Sequence, residues 1–192
     1  LETVAVAEEI SRNIVTLMGD SAKPIIAATR GDVRNIGLGF YMAADVRLAS
    51  RQAAFTCLDM AGGLLPGWGL THLLPRLIGP GRTMDFLFSR RTVGAEEAWQ
   101  MGLVDRLLPD ATWEEDLDAY VQRLARLPQP GVRLVKLAVQ QSGVLDQTSM
   151  LSMEWESQQQ CWESLETAEG LAALSEGREP DLAVAPHADD ED

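Results

Sequence analysis

Residues 23–79 read KPIIAATRGDVRNIGLGFYMAADVRLASRQAAFTCLDMAGGLLPGWGLTHLLPRLIG, and this stretch decides the fold. Pro24 opens IIAAT, an almost wholly apolar run of the kind that forms a strand covered on both faces, which predicts a parallel sheet within an α/β layer. A turn follows, and Asn35 is placed to cap a helix over Ile36–Ala44. VRLAS and AAFTC then read as two more strands. The second ends at a lone carboxylate, Asp59, with the Gly-rich loop Pro66-Gly67-Trp68-Gly69 beyond it and a helix over Gly69–Ile78. Such an order suits a site where backbone N–H groups face a developing negative charge while one acid moves a proton.

Working outward, Leu1, Val4, Ala7, Ile10, Ile14, Leu17 and Met18 recur at helical spacing up to Gly19, and Asp20–Lys23 connects this helix to the first strand. Downstream come a helix over Thr83–Phe88, then TVGAEEAWQMGLVDRLLP, a short helix stopped by Gly102 and closed by a strand-like run. From Trp113 the pattern is helical throughout, over Trp113–Leu127, Gly131–Ser142 and Thr148–Glu176, with Pro128 and Pro130 between the first two. The organisation expected is an α/β core over 1–109, a helical subdomain over 110–182 and an acidic tail over 183–192.

The 192 residues suffice for a sizeable core, and 46% apolar with 23% charged side chains is ordinary for a globular protein. A net charge of −13 without a dense Lys/Arg cluster argues against nucleic acid. No apolar stretch is long enough for a membrane span. Cys57 and Cys161 provide neither a disulfide framework nor metal-ligand spacing, so the expected setting is reducing and cytoplasmic. The chain opens on a helical pattern without an initiator Met, as a fragment or processed form would.

KPIIAATRG, IGLGFYMAADVRLAS, AAFTCLDMAGGLLPGWGLTHLLPRLIG and SRRTVGAEEAWQMGLVDRLLP, in this order and spacing, resemble the enoyl-CoA hydratase/isomerase (crotonase) superfamily. ETAEGLAALSEGREPDL resembles its terminal helix, so the likeness covers about residues 5–182. The resemblance implies an α/β fold, a spiral of ββα turns with a helical C-terminal part that builds homotrimers or hexamers. It implies an acyl-CoA or acyl-carrier thioester as substrate, no separate cofactor, and stabilisation of a thioester enolate by two backbone N–H groups. One donor falls on Ile36. The other, with much of the adenine-binding surface, would come from a segment preceding Leu1.

Two departures from the family pattern bear on the chemistry. The usual Gly-Gly-Gly of the oxyanion turn is Asn35-Ile36-Gly37 here, and a bulky Ile36 leaves the backbone donor while reshaping the thioester pocket. Hydratases use two glutamates; the first falls on Gly39 and the second on Asp59, one methylene shorter. Water addition needs a positioned nucleophile and a proton donor, whereas a single acid suffices to shuttle a proton along a dienolate or to protonate an enolate after decarboxylation. The expectation is therefore isomerase-type chemistry first, decarboxylase-type (lyase) second and hydratase third. The rival from another class is a catalytically silent homologue serving as a partner or scaffold subunit.

Asp59 and Ile36 are thus the candidate catalytic residues, and Gly37, Gly39, Pro66, Gly67, Trp68 and Arg178 the candidate substrate-binding ones. Each has a plainer reading beside it. Asp59 caps the turn Met60–Gly63; Gly39 is either a packing glycine or room for substrate. Trp68 either walls the acyl pocket or packs in the core, and Arg178 either meets a CoA phosphate or is solvated. Cys57 reads as a small buried hydrophobe, His72 as a surface residue, Asp32 and Arg34 as flanks of the oxyanion turn, and Trp155 with Trp162 as a filled helix or subunit interface.

Overall fold

The structure, a computed structural model, describes residues 2–182, and the acidic tail expected over 183–192 lies outside the described residues. The chain divides into two compact units, Leu1–Asp118 and Ala119–Asp192.

The first unit opens with α1 (Glu2–Asp20) and continues as stacked ββα turns. One turn is β1 (Ile26–Thr29), β2 (Asp32–Arg34) and α2 (Ile36–Ala43); the next is β3 (Val46–Ser50), β4 (Ala54–Thr56) and, after a 3₁₀ turn at Asp59–Gly62, α3 (Leu70–Ile78). β1 lies parallel to β3 with Ile26 opposite Val46, and β2 lies parallel to β4 with Asp32 opposite Ala54. Each strand therefore pairs with its counterpart one turn on, the rise of a spiral rather than of one wide sheet. Two sheets of three strands result, β1-β3-β6 and β2-β4-β5, completed by α4 (Pro80–Ser89), β5 (Val93–Gly94), α5 (Ala95–Met101) and β6 (Arg106–Leu108).

The core of this unit joins Leu38, Tyr41 and Met42 of α2 to Phe55, Leu70, Leu74, Phe86, Val93 and Leu103. Tyr41 donates its hydroxyl to Leu48 O at 3.0 Å, and burial pushes its pKa well up, so it stays a neutral donor. Aspartates directly precede β3 and β6 of the first sheet. Asp45 Oδ2 accepts Ile25 N–H at 2.7 Å, and Asp105 accepts both the Arg47 amide (2.8 Å) and its guanidinium (3.0 Å). Arg47 is buried and also donates to Ala44 O.

The second unit contains most of α6 (Trp113–Ala125), which crosses the division, and α7 (Gln129–Gln141), α8 (Gln147–Trp162) and α9 (Leu165–Glu176). Glu166, buried on α9, accepts Gln129 N–H, placing a carboxylate at the N-terminus of α7.

Three sequence readings need correction. The helical stretch over Thr148–Glu176 is two helices, because Ser164 Oγ accepts Thr167 N–H at 3.1 Å and starts α9 afresh. The helix expected at Thr83 begins at Pro80, whose missing N–H costs nothing in a first turn. β2, read as a turn, is a strand by virtue of its pairing with β4: only Val33 of its three residues is buried, so no alternating pattern announced it.

Asp105→Ala leaves the buried Arg47 charge without its partner. Urea unfolding is expected to show a loss of about 2–3 kcal/mol, somewhat below the usual cost of breaking a fully buried pair because Asp105 keeps contact with water. Arg47→Met, which removes the buried charge itself, is expected to cost less.

Candidate active site

Parallel pairing of β2 with β4 puts two turns side by side at the same end of the sheet. Arg34 stands opposite Thr56, so the next residues, Asn35 and Cys57, leave their strands together. Asn35 N–H donates to Thr56 O at 3.3 Å, and Asn35 Oδ1 accepts Leu58 N–H at 2.9 Å. The expected cap at Asn35 is corrected here: its side chain makes no capping bond to α2 and crosses to the neighbouring turn, with φ at 46° and ψ at −110°. A side-chain cap needs extended backbone at that residue, and a positive φ turns the side chain away.

Because Asn35 O accepts Gly39 N–H at 3.1 Å, the helix begins there, and the amides of Ile36, Gly37 and Leu38 have no intrahelical acceptor. Unpaired donors at the positive end of a helix dipole are suited to stabilising a developing negative charge. The Ile36 side chain is 52% exposed, so it rims the turn rather than filling the core.

Asp59 begins the 3₁₀ turn that follows β4 after Cys57 and Leu58. Its carbonyl accepts Leu64 N–H at 3.1 Å, and its carboxylate Oδ2 accepts the Cys57 thiol at 3.2 Å. The half-buried Asp59 therefore keeps one oxygen engaged by a weak donor. Cys57 is fully buried; burial, reinforced by the bond to Asp59, pushes its thiol up to about 11. A thiol that stays protonated at neutral pH donates to a carboxylate and does not serve as a nucleophile. The sequence reading of Cys57 as a small buried side chain missed this contact, although the i, i+2 spacing of Cys57 and Asp59 just past a strand was its visible trace.

Gly39 is where α2 meets the Pro66–Gly69 loop. A Cβ built at Gly39 would overlap Trp68 Cβ, with Trp68 Cγ at 3.1 Å and Trp68 O at 3.2 Å. The Trp68 ring packs on Phe40, centroids 4.6 Å apart, and Trp68 itself sits at φ 56°. A bulky residue at positive φ is a costly conformation, held here by packing against α2. Gly39 is thus a packing glycine whose vacancy is filled by the backbone and Cβ of Trp68.

The other candidates spread around this centre. At Gly37 a Cβ would meet only Val33 Cγ1 at 3.9 Å, so packing within the chain does not demand glycine there. Pro66 is buried and Gly67 exposed, and Gly67 O accepts Leu70 N–H at the start of α3. His72 is exposed on α3, and Asp32 and Arg34 form an exposed ion pair on β2. Arg178 belongs to the second unit, where Glu169 and Glu176 hold its guanidinium, and that contact lowers Glu169 to about 2. Trp155 and Trp162 pack edge-to-face at 5.8 Å on α8, both largely exposed.

A family model described as enoyl-CoA hydratase/isomerase matches residues 3–183. Among curated proteins, a "Probable enoyl-CoA hydratase" of Mycobacterium tuberculosis is 36% identical over 177 residues, covering 90% of this chain and 61% of that protein. The 1,2-epoxyphenylacetyl-CoA isomerase of Escherichia coli is 27% identical over 173 residues, covering 90% of this chain and 66% of that protein. The crystal structure of an enoyl-CoA hydratase from Bacillus anthracis superposes with a TM-score of 0.89 at 30% identity, over 94% of this chain and 70% of that one. The chain thus spans less than two thirds of the length of the first two relatives.

The Gly39–Trp68 contact is open to a stability measurement. Gly39→Ala is expected to lower the unfolding free energy by about 1–3 kcal/mol through overpacking, although Ala in place of Gly in a helix otherwise gains about 1 kcal/mol. Combined with Trp68→Gly, the double variant should be more stable than the sum of the single changes by about 1 kcal/mol or more. Strict additivity would mean that the two residues do not interlock.

Proposed function

Starting from the fact that the chain belongs to the enoyl-CoA hydratase/isomerase family and has its ββα spiral fold, we propose that it shifts a double bond in an enoyl thioester of CoA or of a carrier protein. The observation that carries this reading is the filled space at Gly39. Where the family pattern puts the first of two hydratase glutamates, this chain has no side chain, and Trp68 occupies the volume that one would need. Asp59 is left as the acid of the site.

In the proposed reaction the substrate carbonyl oxygen lies at the N-terminus of α2, with Ile36 N–H as one donor. The Asp59 carboxylate takes a proton from the α-carbon of a β,γ-enoyl thioester, and the electrons of that C–H bond move into a dienolate. Negative charge gathers on the thioester oxygen, where the helix amides stabilise it; one such donor contributes about 2.7–4 kcal/mol to the transition state. The protonated carboxyl then returns the proton to the γ-carbon, and the α,β-enoyl thioester is released with no atom gained or lost. One group serves first as base and then as acid, so no second carboxylate is required.

The CoA thioesters in the names of the relatives, hydratases and an epoxide isomerase alike, support the thioester as substrate. The exposed apolar side chains of the second unit, Val135, Val139, Trp155, Trp162 and Leu174 among them, support assembly into a homotrimer or hexamer. Cys57 and Cys161, both free, fit a reducing cytoplasm. No helix among the described residues is long and apolar enough to cross a membrane.

The reading is tested with full-length protein and a β,γ-hexenoyl-CoA, followed as the conjugated thioester forms. Asp59→Asn is expected to lower kcat by about a hundredfold or more, with the melting temperature little changed. Unaltered turnover would remove Asp59 from the reaction.

A further inference from the structure

We propose that Asn35 is a positioning residue for this reaction, tying the first turn of α2 to the turn that presents Asp59. The inference rests on the roles given above to Ile36 N–H and Asp59.

Four observations meet at Asn35. It stands at φ 46° and ψ −110°, a backbone region natural to glycine and strained for a side chain. Its side chain caps no amide of α2, so the ordinary reason for an Asn before a helix is absent. Its Oδ1 instead accepts the N–H of Leu58, the residue immediately before Asp59, at 2.9 Å. Its own N–H donates to Thr56 O, so backbone and side chain of one residue grip the β4 exit at two points.

A glycine would relax the backbone and lose only the Leu58 bond. That bond spans the two elements whose separation the chemistry depends on: the helix amides that meet the thioester oxygen and the carboxylate that reaches the α- and γ-carbons. Proton transfer falls off steeply when donor and acceptor drift by an ångström. The thiol of Cys57 holds one oxygen of the Asp59 carboxylate, whereas Asn35 fixes where its turn stands relative to α2.

Steady-state kinetics with β,γ-hexenoyl-CoA and thermal melting, on the full-length Asn35→Gly, Asp59→Asn and double variants, test the proposal. Since glycine suits the backbone angles, Asn35→Gly is expected to keep or raise the melting temperature. Its kcat should fall between about tenfold and a hundredfold, its KM should stay within about twofold, and the change should cost nothing further in the Asp59→Asn background. Wild-type kcat for Asn35→Gly, or a full additional loss in the double variant, overturns the inference while leaving the role of Asp59 standing. Wild-type turnover by Asp59→Asn alone overturns the reading of the acid, and this inference with it.

Discussion

The contact between Gly39 and Trp68 is the constraint on which the site depends. α2 and the Pro66–Gly69 loop approach so closely that a side chain at Gly39 would overlap Trp68. Trp68 accepts a positive φ to sit there, and its ring lies against Phe40. The elements on either side are anchored in the core, where Leu38 and Met42 of α2 and Leu70 and Leu74 of α3 are fully buried. Chemistry follows from the same fit. The backbone and Cβ of Trp68 take up the space that a side chain at Gly39 would need, so α2 presents no carboxylate there; on the proposed reading Asp59 then handles the proton alone.

The coil itself brings the turn that carries Asp59 beside the residue before α2. Successive ββα turns stack with β2 beside β4, so the turn leaving one strand lies beside the turn leaving the next. The first turn opens a helix and offers unpaired amides; the second opens a 3₁₀ turn and offers a carboxylate. Asn35 and Cys57, the first residues beyond the paired strands, then bind the second turn at two points.

Much of this was legible before the structure. IIAAT, VRLAS and AAFTC are strands or contain them, the helix at Ile36 begins where its sequence says, and Asp59 falls at the end of a strand beside a Gly-rich loop. What stayed hidden depends on residues far apart in the chain. Nothing near Gly39 distinguishes a packing glycine from a space for substrate; Trp68 decides it from another element. Asn35 looks like a cap because Asn before a helix usually is one, and only its φ reveals that the side chain turns toward Leu58. β2 and β5 are too short to carry a periodic pattern and exist through pairing with β4. The break at Ser164 was readable as a capping serine, but the unbroken helical periodicity on both sides concealed it.

The most direct test of a one-carboxylate site is the ratio of two reactions on one preparation of the full-length protein. Hydration of crotonyl-CoA and isomerisation of β,γ-hexenoyl-CoA are measured as kcat/KM under the same conditions. A site that moves a proton but does not position a nucleophilic water should isomerise faster than it hydrates by about a hundredfold or more. Hydration as fast as isomerisation, or faster, would contradict the account.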